Sequence, residues 1–243
     1  PWLAAIGKIK NQLTLNGRTI HLRHYNATCG GTLITNRHVL CAAHCFMSPR
    51  VINDPPTHVR LGEHNLRTYG FGAQDYLIVD RRIGSYDQFT RSNDIIILKL
   101  DRQVEFNDRI SPACLPFNLP KYEYFRKRLT VVGWGFTTES SQISVEPMRE
   151  EPEHVPLWEY QQQYRNVTPI TNKNMCAGRG IADSCMGDSG GPLNFKSSRG
   201  INAGRVFVVG IVSHGPTVCG SSTQAGVYVN VAKYEHWIRN NLY

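Results

Sequence analysis

The chain has 243 residues, 41% of them hydrophobic and 19% charged, and its 27 Lys and Arg against 19 Asp and Glu give a formal net charge of +8. That length allows one or two ordinary domains with a sizeable core, and no run of ~18 apolar residues is available to span a bilayer. There is no nucleic-acid module and no Cys/His cluster with zinc spacing, so the basic excess reads either as a solvated face or as affinity for acidic surfaces such as sulfated glycans.

The opening Pro1-Trp2-Leu3-Ala4 does not read as a signal peptide. Apolar and polar residues then alternate around Asn16-Gly17, a strong hairpin signal that announces an antiparallel β protein. Strand-like runs follow at 31–34, 39–43, 59–61, 76–83 and 95–100, separated by turn-rich segments. They predict a first barrel over about residues 1–112, with 46–58 as a long loop beside any cleft. Pro112, Pro116 and Pro120 mark a crossing segment, after which strands resume at 129–135, 205–212 and 226–231, a second barrel over about 128–231. Residues 141–154, acidic and proline-containing, read as a mobile surface loop. Tyr234, Trp237, Ile238 and Leu242 fall at helical spacing and predict a C-terminal helix over about 232–243.

Three stretches carry chemistry. The run Asp183-Ser184-Cys185-Met186-Gly187-Asp188-Ser189-Gly190-Gly191-Pro192 holds one serine among glycines, as a hydroxyl on a tight turn with converging backbone N–H groups requires. An activated serine needs a base and an orienting acid. His44, in Cys41-Ala42-Ala43-His44-Cys45, and Asp94, in Ser92-Asn93-Asp94-Ile95-Ile96-Ile97, stand at the edges of apolar strand-like runs.

In this order, the three blocks resemble the chymotrypsin/trypsin-like serine proteases, with matching blocks spread over the whole chain. The resemblance implies an all-β fold in which two six-stranded antiparallel barrels meet at a catalytic cleft, with a C-terminal helix. It implies Ser189 as nucleophile, His44 as general base and acid, Asp94 as orienter, and the N–H groups of Gly187 and Ser189 as oxyanion hole. Asp183 matches the acid at the base of a pocket for arginine or lysine, with Gly215 and Gly226 keeping its walls open. Ser213-His214-Gly215 matches the segment that pairs with the substrate backbone, His214 standing where the family usually has tryptophan, in a position to tune subsites or pH response or simply to pack. Asp188 matches the carboxylate that pairs with a new amino terminus after activation cleavage. Pro1-Trp2 resembles a point about a dozen residues downstream of that terminus, so the activation region and any clip domain are expected outside the chain.

Seven cysteines leave one over. The resemblance pairs Cys29 with Cys45 and Cys185 with Cys219, and gives Cys114 to an interchain bridge with an N-terminal light chain. Cys176 lacks its usual partner, Gln163 standing there, and Cys41 replaces a threonine. Both read as free buried thiols in different barrels. Asn26 and Asn166 head glycosylation sequons and point to the secretory route. No cofactor is required, and a structural calcium is offered only at Glu63, where the second acid of a trypsin calcium loop falls on Ala73 with Asp75 nearby.

The closest resemblance, on Cys114, Gly62-Glu63-His64-Asn65 and Val212-Ser213-His214-Gly215-Pro216, is to arthropod clip-domain proteases. It implies an extracellular haemolymph zymogen, activated by an upstream protease and restrained by a serpin-type inhibitor. Such an enzyme would cleave another zymogen or a cytokine precursor in prophenoloxidase or Toll-type signalling. A secreted venom or digestive trypsin, and a non-catalytic protease homologue acting as a binding cofactor, are the alternatives.

Overall fold

The computed structural model describes residues 1–10, 13–15, 18–20, 24–49, 51–68, 70, 72–137, 140–161, 169–178, 188–215 and 225–242, with the backbone alone for 13–15, 18–20, 24, 136–137 and 140–143. Its first strand, β1 (Leu3–Lys10), shows no polar alternation because Ala4, Ala5 and Ile6 are all buried. Strands β2 (Leu13–Leu15) and β3 (Arg18–Ile20) pair antiparallel with Leu15 opposite Arg18, and the Asn16-Gly17 turn predicted between them lies outside the described residues. Five further strands are β4 (His24–Leu33), β5 (His38–Cys41), β6 (His58–Leu61), β7 (Gln74–Ile83) and β8 (Ile96–Leu100). With β1 they form a closed six-stranded barrel in the order β1-β4-β5-β8-β7-β6. Closure leaves it no open edge, and Ile6, Leu33, Leu40, Leu61 and Leu98 fill its interior.

The pairing of β5 with β8 matters most for function. Cys41 lies opposite Ile96 in an antiparallel register, so the chain leaving β5 and the chain entering β8 meet at one end of the barrel. His44 and Asp94, 50 residues apart in sequence, are thereby brought together.

Two 3₁₀ turns, Pro116–Asn118 and Lys121–Glu123, occupy the crossing. The second set comprises β9 (Thr130–Gly133), the hairpin of β10 (Phe136–Thr137) and β11 (Ser140–Ile143), β12 (Met148–Glu150), β13 (His154–Val155), β14 (Asn174–Ala177), β15 (Pro192–Lys196), β16 (Val206–His214) and β17 (Gly226–Asn230). The main sheet runs β12-β9-β15-β16-β17-β14-β13. Because β12 and β13 are successive parts of one stretch, the sheet meets itself. The Leu129 N–H donates to Pro152 O at 2.9 Å, the His154 N–H donates to Lys127 O at 2.8 Å, and Arg128 bridges Glu153. Residues 141–154 are therefore not the plain loop their acid and proline content predicts. Met148, Arg149 and Glu150 are all exposed, so no apolar alternation marks the strand.

The chain ends in a 3₁₀ turn (Val231–Tyr234) and a short helix, Glu235–Arg239, tighter and later than the predicted span. Tyr234 and Ile238 pack into the same cluster as Ile211, Val229 and the first-barrel residues Leu33 and Leu40. The two barrels thus share apolar packing across their interface.

Candidate active site

His44 opens a four-residue helix, α1 (His44–Met47), and the adjoining Cys45 is bridged to Cys29 of β4 with Cα atoms 6.3 Å apart. This bridge anchors the start of α1 to the barrel wall. Asp94 accepts the His44 backbone N–H on Oδ1 at 2.8 Å and lies 2.7 Å from His44 Nδ1 through Oδ2. Ser213 Oγ donates to the same Oδ2 at 2.6 Å. The Asp94 side chain is 2% exposed and that of His44 is 23% exposed, so the acid is sealed while the imidazole reaches solvent. Burial alone would raise the Asp94 pKa, but the facing imidazole of His44 and the hydrogen bonds from His44 and Ser213 hold it below its ordinary value.

A tight turn aims Asp94 inward. Asn93 has φ of 51°, a left-handed conformation that asparagine tolerates, and its Oδ1 accepts from Tyr234 Oη at 3.1 Å and Lys173 Nζ at 2.8 Å. Sequence reasoning misses Asn93 and Tyr234 as support for the site. The aromatic spacing that announces the C-terminal helix marks Tyr234 for packing and carries no sign of its bond to Asn93.

Ser189 sits half-buried on the turn before β15. Its carbonyl accepts the Gly30 N–H of β4 at 2.8 Å and lies 3.7 Å from Cys45 Sγ, which places the serine's backbone beside the His44 segment. Gly190 follows with φ of +80°, and a Cβ there would stand 2.5 Å from Cys41 Sγ. A Cβ on Gly30 would stand 2.9 Å from Gly191 Cα, so the barrels touch backbone to backbone at this turn. The Cys41 thiol lies buried beneath it and donates to Gly30 O at 3.2 Å.

Ser213 and His214 end β16, and Gly215 follows, exposed. On the β15 side the ladder stops at Pro192↔Ile211, and Val212 bonds to Gly190 and Gly191. Gly226 begins β17 opposite Ala177. Asp188 is buried, and its Oδ1 accepts the Gly135 N–H at 2.8 Å. Asp183, Gly187, Cys185, Cys219, Gln163 and Asn166 lie outside the described residues. Asn26 is half-exposed on β4. Cys114 is a half-buried free thiol; Cys41 and Cys176 are free and buried in β5 and β14, in different barrels as expected.

Glu63 does not fit a calcium ion. Its Oε1 accepts the N–H groups of His64 at 2.9 Å and Asn65 at 3.2 Å, and Oε2 accepts that of Gly70 at 3.2 Å and faces Arg60 at 3.4 Å. Arg60 also holds Asp75 through two bonds of 2.7 and 3.0 Å, and stacks over the Tyr25 ring at 4.3 Å. A guanidinium already supplies the positive charge to both acids. The other candidate ligand group, Cys29, His44 and Cys45, has its two sulfurs bonded to each other and offers no thiolate.

Comparison with known proteins agrees with this geometry. The family model described as Trypsin matches residues 7–238. The proclotting enzyme of Tachypleus tridentatus is 36% identical over 226 residues, covering 88% of this chain and 58% of that protein. The CLIP domain-containing serine protease B4 of Anopheles gambiae is 33% identical, covering 100% of this chain and 67% of its own length. Phenoloxidase-activating factor 1 of Holotrichia diomphalia is 35% identical, covering 100% of this chain and 66% of that protein. The chain thus spans roughly three fifths to two thirds of these relatives. The chain belongs to the trypsin family and is a serine protease domain homologous to arthropod clip-domain proteases.

Proposed function

We propose that the chain is the catalytic domain of an extracellular cascade protease that cleaves protein substrates after arginine or lysine. The observation that carries this reading is the clamp of Asp94 on both nitrogen donors of His44, with the Ser189 turn docked beside them on Gly30. Asp94 keeps the Nδ1 proton in place, which leaves Nε2 bare to accept the Ser189 proton. Ser189 Oγ then attacks the scissile carbonyl, the N–H groups of Gly187 and Ser189 hold the oxyanion, and His44 returns its proton to the leaving amine. Asp94 stabilises the imidazolium formed meanwhile.

The residue motif supports Asp183 as the charge that selects a basic side chain: an apolar one would leave a desolvated carboxylate without a partner. Past Val212 the β16 strand runs on beyond its β15 ladder, which supports Ser213-His214-Gly215 as the segment that pairs with substrate backbone. The burial of Asp188 beside Gly135 supports it as the carboxylate that receives an activating amino terminus. The half-buried Cys114 thiol, tied through its backbone to Val206 and Val208, suits a disulfide to a light chain. The names of the relatives, a proclotting enzyme and a phenoloxidase-activating factor, favour an immune-cascade role with a zymogen as substrate.

The test uses paired fluorogenic peptides that differ only in Arg or Phe at the cut site, before and after limited activation of the full-length protein. Arg-selective hydrolysis appearing after activation supports the reading. Equal hydrolysis of both peptides removes the Asp183 assignment, and silence after a verified cleavage favours a non-catalytic cofactor.

A further inference from the structure

We propose that His214 is a positioning residue for the catalytic acid: its Nδ1–H donates to Ser213 Oγ and so commits the Ser213 hydroxyl proton to Asp94. The inference rests on the reading of Asp94 and His44 as a catalytic pair. It concerns a position where family resemblance leads one to expect tryptophan.

The direction of each bond follows from counting protons. Asp94 is a carboxylate and can only accept, so all three groups that reach it must donate. Ser213 Oγ has one proton, and at 2.6 Å from Oδ2 that proton belongs to the charged acceptor. Toward His214 Nδ1, 3.1 Å away, the same oxygen can then only accept. Nδ1 must carry hydrogen. In the opposite tautomer a bare Nδ1 would compete for the Ser213 proton and turn an oxygen lone pair toward the Asp94 carboxylate.

The result is one hydrogen-bonded chain, His214 to Ser213 to Asp94 to His44, in which an imidazole stands at each end and the carboxylate lies between. The surroundings favour a neutral His214. Its ring is largely buried at the end of β16, and burial, the largest effect, lowers its pKa to about 4, with Arg91 and His44 nearby also opposing a positive charge and Asp94 favouring one. Neutrality does not disturb the donor, because protonation in acid adds hydrogen at Nε2 and leaves Nδ1–H in place. What His214 supplies at working pH is therefore a fixed dipole rather than a charge.

The direct test is long-range proton–nitrogen NMR of the imidazoles in the full-length protein, with His214 assigned by loss of its signal in His214→Asn. The Nδ1–H tautomer, retained until pH falls toward about 4, is the expected result. An Nε2–H tautomer overturns the proposal. This readout needs no turnover, so failure of the protease reading and failure of this inference are distinguishable.

Kinetics of the activated enzyme supply the second arm. His214→Asn puts an amide N–H close to where Nδ1 stands, whereas His214→Phe keeps the bulk and loses the donor. His214→Phe is expected to lower kcat by about 3- to 10-fold, with His214→Asn recovering most of that loss while both shift KM. Equal kcat in the two variants, with effects confined to KM, would make His214 only part of the substrate-binding surface and would overturn the positioning role.

Discussion

Asp94 stays ionised in a place where burial works against it. Three donors converge on its two oxygens, and the left-handed Asn93 before it is pinned from the second barrel by Lys173 and from the C-terminal turn by Tyr234. Asp94→Asn keeps the shape but offers an N–H where an acceptor is required, so kcat should fall by roughly 10⁴-fold with little change in melting temperature. A loss below tenfold in stopped-assay kinetics would contradict the orienting role. His214 gives a pH prediction with a definite sign. Its folded-state value of about 4 is depressed from an ordinary 6.5. Its contribution to stability is therefore full above about 6.5 and is lost as pH falls from there toward about 4, on the order of 3 kcal/mol in total. Denaturant titrations across that window should show a shallower decline for His214→Phe than for the parent chain. At this scale the sequence was most informative where chemistry restricts residue choice, as in the serine among glycines. It was silent on Asn93, Tyr234 and Gly30, whose roles arise only when distant segments meet.

Among the elements, several strands were legible: 59–61, 76–83 and 95–100 all appear close to their expected bounds. β1 was not, since it is bonded on both edges and buried through Ala4–Ile6, and neither alternation nor turn residues mark it. Nor was β12, whose exposed Met148, Arg149 and Glu150 earn their place through backbone bonds to β9 alone. The same limit applies to the loop between β6 and β7. The family resemblance offered a calcium site at Glu63 although the second acid of the loop fell on Ala73, and the group that Glu63 and Asp75 both face is Arg60, which belongs to β6 and carries a side chain only 4% exposed. Arg60→Leu would leave Glu63 and Asp75 buried without their cation, at a cost of about 3–5 kcal/mol. The corresponding fall in melting temperature is on the order of 10 °C. Chelator should leave the melting of the parent chain unchanged, and a large shift on adding EDTA would show that the guanidinium does not do the work assigned to it.

For the whole molecule, function depends on how two barrels are held against each other. Gly30 and Gly191 let the walls meet directly behind the nucleophile, Trp2 Nε1 reaches Asn194 of β15 at 3.0 Å, and the C-terminal turn joins the shared apolar cluster. Gly30→Ala should force this seam apart, costing about 1–3 kcal/mol of stability and roughly 10²-fold in kcat/KM. Unchanged kinetics in that variant would show that the seam does not set the geometry of the site. The barrel count and the position of the cleft followed from motif order and the family it resembles, while the seam itself, made by glycines with nothing to display, could not be read from composition or period.

Activation of Ser189 by the Asp94-held His44 is open to direct measurement with a serine-directed phosphonate. The full-length protein, after activation cleavage, would be labelled and the adduct mapped by mass spectrometry, with Asp94→Asn in parallel. One adduct per chain is expected, located on Ser189 and formed far more slowly in Asp94→Asn. No adduct on Ser189 in a protein with a verified new amino terminus, or labelling at the same rate in the variant, would contradict it.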